Sequence, residues 1–448
     1  MAADTHDRVV AKLQSLVRIP TVSDRDPALV DTHAFDRLLH ELADQFPLLH
    51  MELELTRVGT HGLLFHWAGA SADRPVVVMA HLDVVPIDAG APWQHPPFGA
   101  EIHASASGQA IWGRGTLDDK GCVVAICEAV ELMLEAGAEP AQDVWLSFGC
   151  DEEVSGTAAQ EAVAELKQRG VTPWFVLDEG GAIAHQAFPG VEPPLGVIGV
   201  TEKGTTSVEL VAEGRGGHAS TPAKNGPTTR IARAILRVEK SPFPASAPAP
   251  TLELLRRLAP YLPLPVRPIA TNAERITPLI TKVLLAAGPE AAAMTRTTVA
   301  ATTLSGSPAL NVIASSARAG LNIRIMVGDT VAGVLEHLRK AIKDDGIRIE
   351  VVEQGEPSPI SPMDEAFELL EGTIKDVFPD AVPTPYVMMA ATDSRHFTEI
   401  SERVYRFAPF RMTKAQRESI HSYDEHLGID DLIDGVTWYR TLIERLPR

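Results

Sequence analysis

Histidine and acidic residues recur at points where apolar stretches of the sequence end. In His81-Leu82-Asp83 the two polar residues stand two positions apart, so a strand would direct both side chains to the same face. The His81 imidazole could then bind a metal ion while the Asp83 carboxylate accepts a hydrogen bond from the ring and orients it. By itself the triplet also fits an ordinary core histidine. Further positions of the same kind are Asp118-Asp119, Asp151-Glu152-Glu153, Asp178-Glu179 and His421.

Three carboxylates, those of Asp151, Glu152 and Glu153, directly follow one apolar stretch. Charge repulsion and desolvation oppose such crowding unless cations lie nearby, and a divalent metal ion is the simplest candidate. A solvated loop is the alternative for this cluster alone. Asp118 follows a Gly-rich turn at the start of a predicted helix, where a helix N-cap is the alternative role. Together the clusters favour a metal site assembled from distant segments of the chain.

The elements that must position these residues alternate between strands and helices. Apolar runs of strand length cover residues 75–85, 143–150 and 173–181, and helical patterns cover Lys120 to Gly137 and Ala158 to Gly170. Continuous apolarity favours strands buried on both faces, as in the mostly parallel sheet of an α/β protein. Such folds bind ligands at the carboxyl ends of their strands, which is where the acidic and histidine clusters lie.

A different pattern begins near Lys203. Residues 205–214 alternate like a half-exposed strand, and a helix, a Pro- and Ala-rich stretch, strand-like residues and a second helix follow up to residue 346. The β-α-β-β-α-β order predicts a small α+β domain of the ferredoxin-like kind, inserted into the α/β domain. We therefore predict an inserted domain at 203–347, between the two parts of the α/β domain at 1–202 and 348–448.

The composition argues against several classes of protein. Asp and Glu number 59 against 40 Lys and Arg, and the formal net charge of −19 argues against nucleic acid or an anionic membrane as the partner. No stretch approaches the roughly 20 apolar residues of a membrane span, and the N-terminal residues resemble an amphipathic helix more than a secretory signal, so we expect a cytoplasmic protein. Cys122, Cys127 and Cys150 lack paired spacing, which predicts neither disulfides nor cysteine zinc ligands.

Six motifs, in order, resemble the aminoacylase and carboxypeptidase S branch of the co-catalytic zinc metallopeptidases, related to acetylornithine deacetylase and succinyl-diaminopimelate desuccinylase. The motifs are HLDVVP, WGRGTLDDKG, DEEVSG, VLDEGG, RGGHAS and IHSYDE, and they cover almost the entire chain. The resemblance implies an α/β catalytic domain that holds two zinc ions, with the inserted domain serving as a lid and dimerisation domain. Cobalt or manganese would also suit imidazole and carboxylate ligands.

The resemblance also implies a role for each metal-binding residue. His81 would bind one zinc ion, Glu153 and His421 the other, and Asp118 would bridge both, while Asp83 supports His81. The remaining ligand lies in Asp178-Glu179, where adjacent strand residues face opposite ways, so normally only one of the two can bind. The aminoacylase resemblance favours Glu179, but other branches of the family use Asp, and Asp178 therefore stays open. The resemblance further predicts a cis peptide bond between Asp118 and Asp119.

Further matches concern catalysis and substrate binding. The resemblance makes Glu152 the general base for a water shared by the two zinc ions, and makes His218 the group that polarises the substrate carbonyl, in many relatives from across a dimer. A turn histidine is the alternative for His218. Asn311, Arg324 and Arg395 match or resemble positions that bind the substrate carboxylate, and a surface salt bridge is the alternative for Arg395. Ala314 departs from the family pattern, which commonly has Pro there.

The sequence thus predicts a di-zinc metallopeptidase or aminoacylase-type amidohydrolase. Its predicted substrate is a dipeptide, a short peptide C-terminus or an N-acyl amino acid, and its predicted partner is a second copy of the chain, bound through the inserted domain. A deacylase of one biosynthetic N-acyl metabolite is the near alternative, because the same zinc chemistry would serve both reactions. A non-catalytic binding protein on the same scaffold is the remaining alternative.

Overall fold

The computed structural model describes residues 3–188, 190–222, 224–286 and 288–448. The helices are α1 (Ala3–Val17), α2 (Thr32–Gln45), α3 (Pro47–Glu52), α4 (Lys120–Glu135), α5 (Ala158–Gln168), α6 (Pro227–Glu239), α7 (Ala249–Leu258), α8 (Arg267–Thr271), α9 (Thr277–Ala286), α10 (Pro289–Ala293), α11 (Val331–Ile342), α12 (Glu365–Val377), α13 (Lys414–Ser419) and α14 (Ile429–Glu444). The strands are β1 (Glu54–Val58), β2 (Gly62–Trp67), β3 (Val76–His81), β4 (Glu101–Ser105), β5 (Gly108–Trp112), β6 (Val144–Gly149), β7 (Phe175–Asp178), β8 (Ala182–Ala184), β9 (Leu195–Glu202), β10 (Gly204–Glu213), β11 (Gly217–His218), β12 (Thr298–Ser305), β13 (Val312–Ile313), β14 (Ser316–Ile325), β15 (Ile347–Glu353), β16 (Val382–Met388), β17 (Val404–Arg406), β18 (Arg411–Met412) and β19 (His426–Gly428).

The main sheet has ten strands in the order β1-β2-β6-β3-β7-β17-β9-β8-β18, and β16 pairs with β9. At its centre β3 runs parallel to both β6 and β7. Alternate residues of β3 face opposite sides: Val76 and Val78 belong to the core that also contains residues of α4 and α14, whereas Val77 packs in a second cluster with residues of α5. Helices therefore cover both faces, which confirms the predicted α/β fold and explains why these strands are apolar throughout.

A second, antiparallel sheet has the order β12-β14-β10-β15 and belongs to the predicted lid domain, called the lid below. Its strands and the helices α6 and α11 follow the predicted β-α-β-β-α-β order, and the alternation of β10 buries Val208 and Leu210 against apolar residues of both helices. Strand β15 runs to Glu353, because its residues continue to pair with β10 as far as Ser207. The lid sheet consequently extends past the boundary at residue 347 that the sequence predicts.

Helices α7 to α10 lie within the predicted insertion but pack elsewhere. Leu252, Leu255 and Leu258 recur at helical spacing and share a core with Val191 and Leu195, which precede or begin β9 of the main sheet. This helical segment, residues 249–293, was not predicted, and it belongs by its packing to the catalytic domain rather than to the lid.

Two smaller findings concern the membrane and cysteine predictions. Among the described residues, no helix combines the length and the apolar character needed to cross a membrane. Cys122, Cys127 and Cys150 are buried and are not joined in disulfides.

Candidate metal centre

The parallel strands bring the predicted metal-binding segments to one edge of the main sheet. His81 is the last residue of β3, and its register partner Gly149 is the last residue of β6. Glu152 and Glu153 follow in a short 3-10 turn, residues 152–154, and Asp178 ends β7 beside them. The carboxyl ends of neighbouring parallel strands must meet at one edge, which explains why these distant residues converge.

Asp118 lies between two imidazoles. Its Oδ1 is 2.9 Å from His81 Nε2, and its Oδ2 is 2.9 Å from His421 Nε2. His421 Nε2 is also 3.0 Å from Glu153 Oε2. A carboxylate that presents one oxygen to each of two imidazole groups has the arrangement that a ligand bridging two metal ions requires.

The electrostatics of this cluster favour cations. Hydrogen bonds that His421 donates to the Asp118 and Glu153 carboxylates raise the pKa of His421 to about 10. Burial lowers the pKa of His81, but its hydrogen bonds to Asp118 and Asp83 outweigh burial and raise this pKa well above its usual value. In this state the imidazolium groups supply positive charge among the carboxylates. Atoms of His81, Asp118 and Glu153 that could bind metal lie within 4.8 Å of one another, and this donor set suits zinc.

Asp83 fixes the orientation of His81. It is fully buried, and His81 Nδ1 lies 3.0 Å from its carbonyl oxygen and 3.3 Å from its Oδ1. The Asp83 carboxylate also accepts a hydrogen bond from Ser23 Oγ at 2.7 Å and from the backbone N–H groups of Glu152 and Glu153, each at 3.2 Å. Asp83 thereby holds the Nδ1 proton, leaves Nε2 facing Asp118, and ties the turn of Glu152 to the strand of His81.

The adjacent acids Asp178 and Glu179 have different surroundings. Both carboxylate oxygens of the buried Asp178 accept backbone N–H groups, one from Glu179 and one from Ser394, each at 2.9 Å. Glu179 instead lines a cavity together with Asp118, Glu152 and His421. Burial raises the pKa of Glu179 well above its usual value, and the charges of Asp118 and Asp178 add to this effect. The structure thus directs Glu179, and not Asp178, towards the cluster.

That cavity encloses about 480 Å³ and has two kinds of wall. The charged and histidine residues of its wall are Asp118, Glu152, Glu179, Arg417 and His421. Burial raises the pKa of Glu152 well above its usual value, and the nearby Asp393 and Glu153 charges contribute in the same direction. The rest of the lining is mainly apolar and includes Phe188, Leu195, Leu254, Met294, Tyr386, Met388, Met412 and Ile420.

A buried ion pair joins the two loops that carry Asp118 and His421. Arg114 Nη1 lies 2.5 Å from Glu425 Oε2, and Arg114 Nη2 donates to the carbonyl of Ser422 at 2.5 Å. Glu425 Oε1 accepts the backbone N–H groups of Leu117 at 2.8 Å and Asp118 at 3.2 Å. Sequence reasoning missed both residues, although they stand in the motifs WGRGTLDDKG and IHSYDE, where their opposite charges were the available signal. The Asp118–Asp119 peptide bond is cis, as the resemblance predicts.

The other predicted site residues lie apart from this cavity. His218 of β11 pairs with Val312 of β13, and the Asn311 carbonyl accepts the Ala219 N–H at 3.1 Å, so His218 and Asn311 are neighbours on the lid. Arg324 is half-buried in β14 and donates to Thr205 Oγ1 at 2.6 Å. Arg395 Nη1 donates to the Thr392 carbonyl at 3.1 Å. Within the described part of the chain, the residues lining the cavity do not include His218, Asn311, Arg324 or Arg395.

The contacts of His218 define its tautomer. His218 is exposed, and its Nδ1 accepts the backbone N–H of Ser220 at 3.1 Å and lies 2.7 Å from Ser220 Oγ. A backbone N–H can only donate, so Nδ1 carries no proton and the neutral ring is protonated at Nε2. The ring therefore presents a hydrogen-bond donor at its free nitrogen.

Comparison with known proteins found relatives that match most of the chain. The model of peptidase family M20/M25/M40 matches residues 77–445. The probable carboxypeptidase S-like 2 of Dictyostelium discoideum is 33% identical over 433 residues, covering 94% of this chain and 80% of that protein. The N-fatty-acyl-amino acid synthase/hydrolase PM20D1 of Homo sapiens is 34% identical over 438 residues, covering 94% of this chain and 85% of that protein. The solved M20 family metallo-carboxypeptidase Sso-CP2 from Sulfolobus solfataricus has a TM-score of 0.71 at 17% identity and covers 99% of each chain, which shows a shared fold.

Proposed function

The chain belongs to peptidase family M20/M25/M40 and is a metal-dependent amidohydrolase, and we propose that it hydrolyses N-acyl amino acids with an apolar acyl group. The observation that carries this proposal is a cavity that Glu152 and Glu179 line together with many apolar side chains, and to whose wall Arg417 adds a cation. Dipeptides and short peptide C-termini are the second candidate substrates, because the chain is also similar to a probable carboxypeptidase.

The residues present suit two zinc ions. His81 and Glu179 would hold one ion, Glu153 and His421 would hold the other, and Asp118 would bridge them through the oxygens that face the two imidazoles. When bound, the two ions supply Lewis acidity, which lowers the pKa of water and polarises the scissile carbonyl. Asp178, whose oxygens accept backbone N–H groups, would position the loop of Ser394 rather than bind metal.

Glu152 is the proposed general base. Its backbone N–H donates to Asp83, so the same carboxylate that orients His81 also fixes the turn of Glu152. Glu152 lines the cavity beside Asp118 and Glu179, and the raised pKa of its buried carboxyl suits a group that takes up a proton and passes it to the leaving amine.

His218 is the proposed donor to the oxyanion. The Ser220 N–H keeps Nδ1 unprotonated, so Nε2–H can donate to the negative charge that develops on the substrate oxygen. His218 stands on an exposed segment of the lid, so catalysis requires the lid to close over the metal centre. Asn311, its neighbour, and Arg324 are proposed to hold the substrate carboxylate, and Arg395 is a second candidate for that task.

A homodimer would place a second lid near the site. Strand β12 is at an edge of the lid sheet, and residues 300–305 and Leu310 are exposed. An unpaired edge strand with exposed apolar side chains is suited to pairing with the same strand of another copy. A cytoplasmic location likewise remains a prediction, which fractionation of the source cells would test.

The experiment is a hydrolysis panel that separates the candidate reactions. Purified protein loaded with zinc is incubated with N-acetyl and N-octanoyl derivatives of several amino acids and with matching dipeptides, and the released amine is measured. We expect the octanoyl series to have the highest kcat/KM. Preparations of Glu152→Gln made in parallel control for contaminating hydrolases. A high kcat/KM confined to one short acyl group would favour the deacylase of a single metabolite, and binding without turnover across the panel would favour a non-catalytic protein.

A further inference from the structure

A second group of metal-binding side chains lies outside the candidate metal centre. His103 and Glu101 stand two positions apart on β4, so their side chains share one face of the strand, and His95 approaches from the preceding loop. Each of the three residues offers an atom that could bind metal, and these atoms lie within 4.8 Å of one another. None of the three belongs to the proposed catalytic machinery.

The distances within this group match what a zinc ion would need. Two ligands at zinc–nitrogen and zinc–oxygen lengths of about 2.0–2.2 Å in a tetrahedron are roughly 3.4 Å apart. Glu101 Oε2 lies 2.8 Å from His103 Nε2 and 3.9 Å from His95 Nδ1. These two separations fall on either side of the required value, so at least one ring must reorient for all three atoms to bind a single ion.

Aromatic rings pack around the two imidazoles. The His95 and His103 rings are stacked, with centroids 3.6 Å apart and planes 9° apart, and Trp112 of the adjacent strand packs edge-on against His95 at 4.9 Å. Trp112 also stacks on His426 at 4.1 Å. The in-plane lone pairs of two parallel rings do not converge on one point, so both imidazoles can bind the same ion only after one ring turns out of the stack, which their partial exposure permits.

We propose that His95, Glu101 and His103 form a third site for a divalent transition metal ion, zinc being the natural occupant, and that this ion fastens the loop of residues 86–100 to β4. Two imidazoles and one carboxylate suit zinc, nickel or copper, whereas magnesium and calcium prefer oxygen ligands. The His95 side chain is 24% accessible, and the Glu101 and His103 side chains are more exposed. Water would therefore occupy the remaining coordination position of the ion.

The fastened loop adjoins the segment that carries His421. Gln94, next to His95, donates from its backbone N–H and from Nε2 to the two carboxylate oxygens of Asp424, both at 2.8 Å. Asp424 lies three positions after His421 in the sequence. A metal ion at the third site would therefore restrain a loop that supports the candidate metal centre without touching a reacting group.

The test counts zinc ions per chain. Protein stripped of metal is dialysed against zinc, and bound zinc is measured by mass spectrometry of the metal. We expect three ions in the wild type, two in His95→Ala/His103→Ala, and three in His33→Ala, which removes another exposed histidine and serves as the matched control. Asp118→Ala should keep one ion, because the third site does not depend on the catalytic one. Two ions in the wild type, with no loss in the double variant, would overturn the proposal.

A footprint on the wild type covers the case in which the double variant fails to fold. Diethyl pyrocarbonate modifies accessible histidines, and the modified positions are read by peptide mass spectrometry. Protein that already holds two zinc ions should be protected at His95 and His103 by further zinc but not by magnesium, while His33 stays reactive. Equal modification of His95 and His103 with and without the further zinc rejects the third site, even if hydrolysis proceeds normally.

Discussion

The metal centre and the lid loop that carries His218 contrast in how firmly they are built. At the centre, the Asp83 carboxylate accepts hydrogen bonds from two distant segments, Ser23 and the turn of Glu152 and Glu153, and Glu425 joins the loops of Asp118 and His421. By contrast, the His218 side chain forms hydrogen bonds with Ser220 of its own turn and with no other described residue, and residues 213–222 are exposed. The contrast fits a metal-binding geometry that is formed in advance and the proposal that His218, as oxyanion donor, reaches the substrate only when the lid closes.

The largest expected effect comes from a substitution at the metal centre. Glu152→Gln should reduce kcat by at least the 10²–10⁴-fold that a general base typically contributes, since the amide cannot accept the proton. Bound zinc should stay near two ions per chain at the centre, because Glu152 lies beside the ligands and not among them. Parallel measurement of kcat and zinc content checks this, and more than a tenth of wild-type activity in the variant would remove Glu152 from the role of base.

His218→Ala tests the proposed role of the lid loop. Removing one oxyanion donor typically lowers kcat by about 10²–10³-fold, and both catalytic metal ions should remain bound. Ser220→Ala is a useful companion, since the backbone N–H that fixes the tautomer is retained and only the hydroxyl contact is lost; its effect should be much smaller. Near-normal kcat in His218→Ala would reject the oxyanion role.

Subunit mixing distinguishes whether the donor comes from the same chain. If His218 acts across a dimer, then mixing inactive His218→Ala with inactive Glu152→Gln subunits should restore activity, because some heterodimers hold one intact composite site. The sample must show subunit exchange by an independent label. Exchange without recovered activity would assign the donor to the same chain.

Glu425→Gln sharpens the claim that the centre is formed in advance. The variant breaks the buried pair with Arg114 that holds the loops of Asp118 and His421, so metal affinity should fall by about 10–100-fold, as is typical for residues that orient metal ligands. Glu128→Gln is the matched control, because Glu128 forms a buried pair with Lys12 that joins α4 to α1 away from the metal-binding loops. Zinc titration against a competing chelator compares the two. Equal losses of affinity would mean that general destabilisation, and not loop positioning, is responsible.

The smallest expected effect concerns the cavity beside the metal centre. Leu254 lines the cavity, and shortening it to Ala should lower the ratio of kcat/KM for octanoyl over acetyl substrates by roughly three- to ten-fold, since about 0.8 kcal/mol is lost per methylene contact. Leu252→Ala, on the same helix and equally part of its core but not of the cavity lining, is the control. An unchanged ratio in Leu254→Ala would show that this cavity does not select the acyl group of the substrate.

Much of the fold was predictable because it rests on local periodicity. The buried strands β3, β6 and β7 are continuous apolar runs, and the lid strand β10 alternates, so their environments are visible in the sequence. Helices α7 to α10 were not predicted, because the Pro- and Ala-rich residues 241–250 before them obscured the leucine spacing of α7. The end of the lid at Glu353 depends on pairing with β10, a long-range contact that sequence patterns do not reveal.

The candidate site, like the fold, was predictable only in part. Residue types and motif order predicted the positions of His81, Asp118 and His421, which the fold brings together at 2.9 Å contacts. The different surroundings of Asp178 and Glu179 could not be predicted from the sequence, since one Asp178 oxygen accepts the backbone N–H of Ser394, more than two hundred positions away. The opposite charges of Arg114 and Glu425 were visible in the sequence, but their burial was not, because charged residues are usually exposed and only the fold buries both.

Removal and return of metal tests the central claim most directly. Protein dialysed against a chelator and verified to be free of metal should show no measurable hydrolysis of the best substrate, and zinc or cobalt should restore activity as the ion content of the candidate centre rises to two per chain. His95→Ala/His103→Ala protein allows the count to report on that centre alone. Full activity in verified metal-free protein would contradict the assignment of Asp118 and its neighbours as the catalytic metal centre.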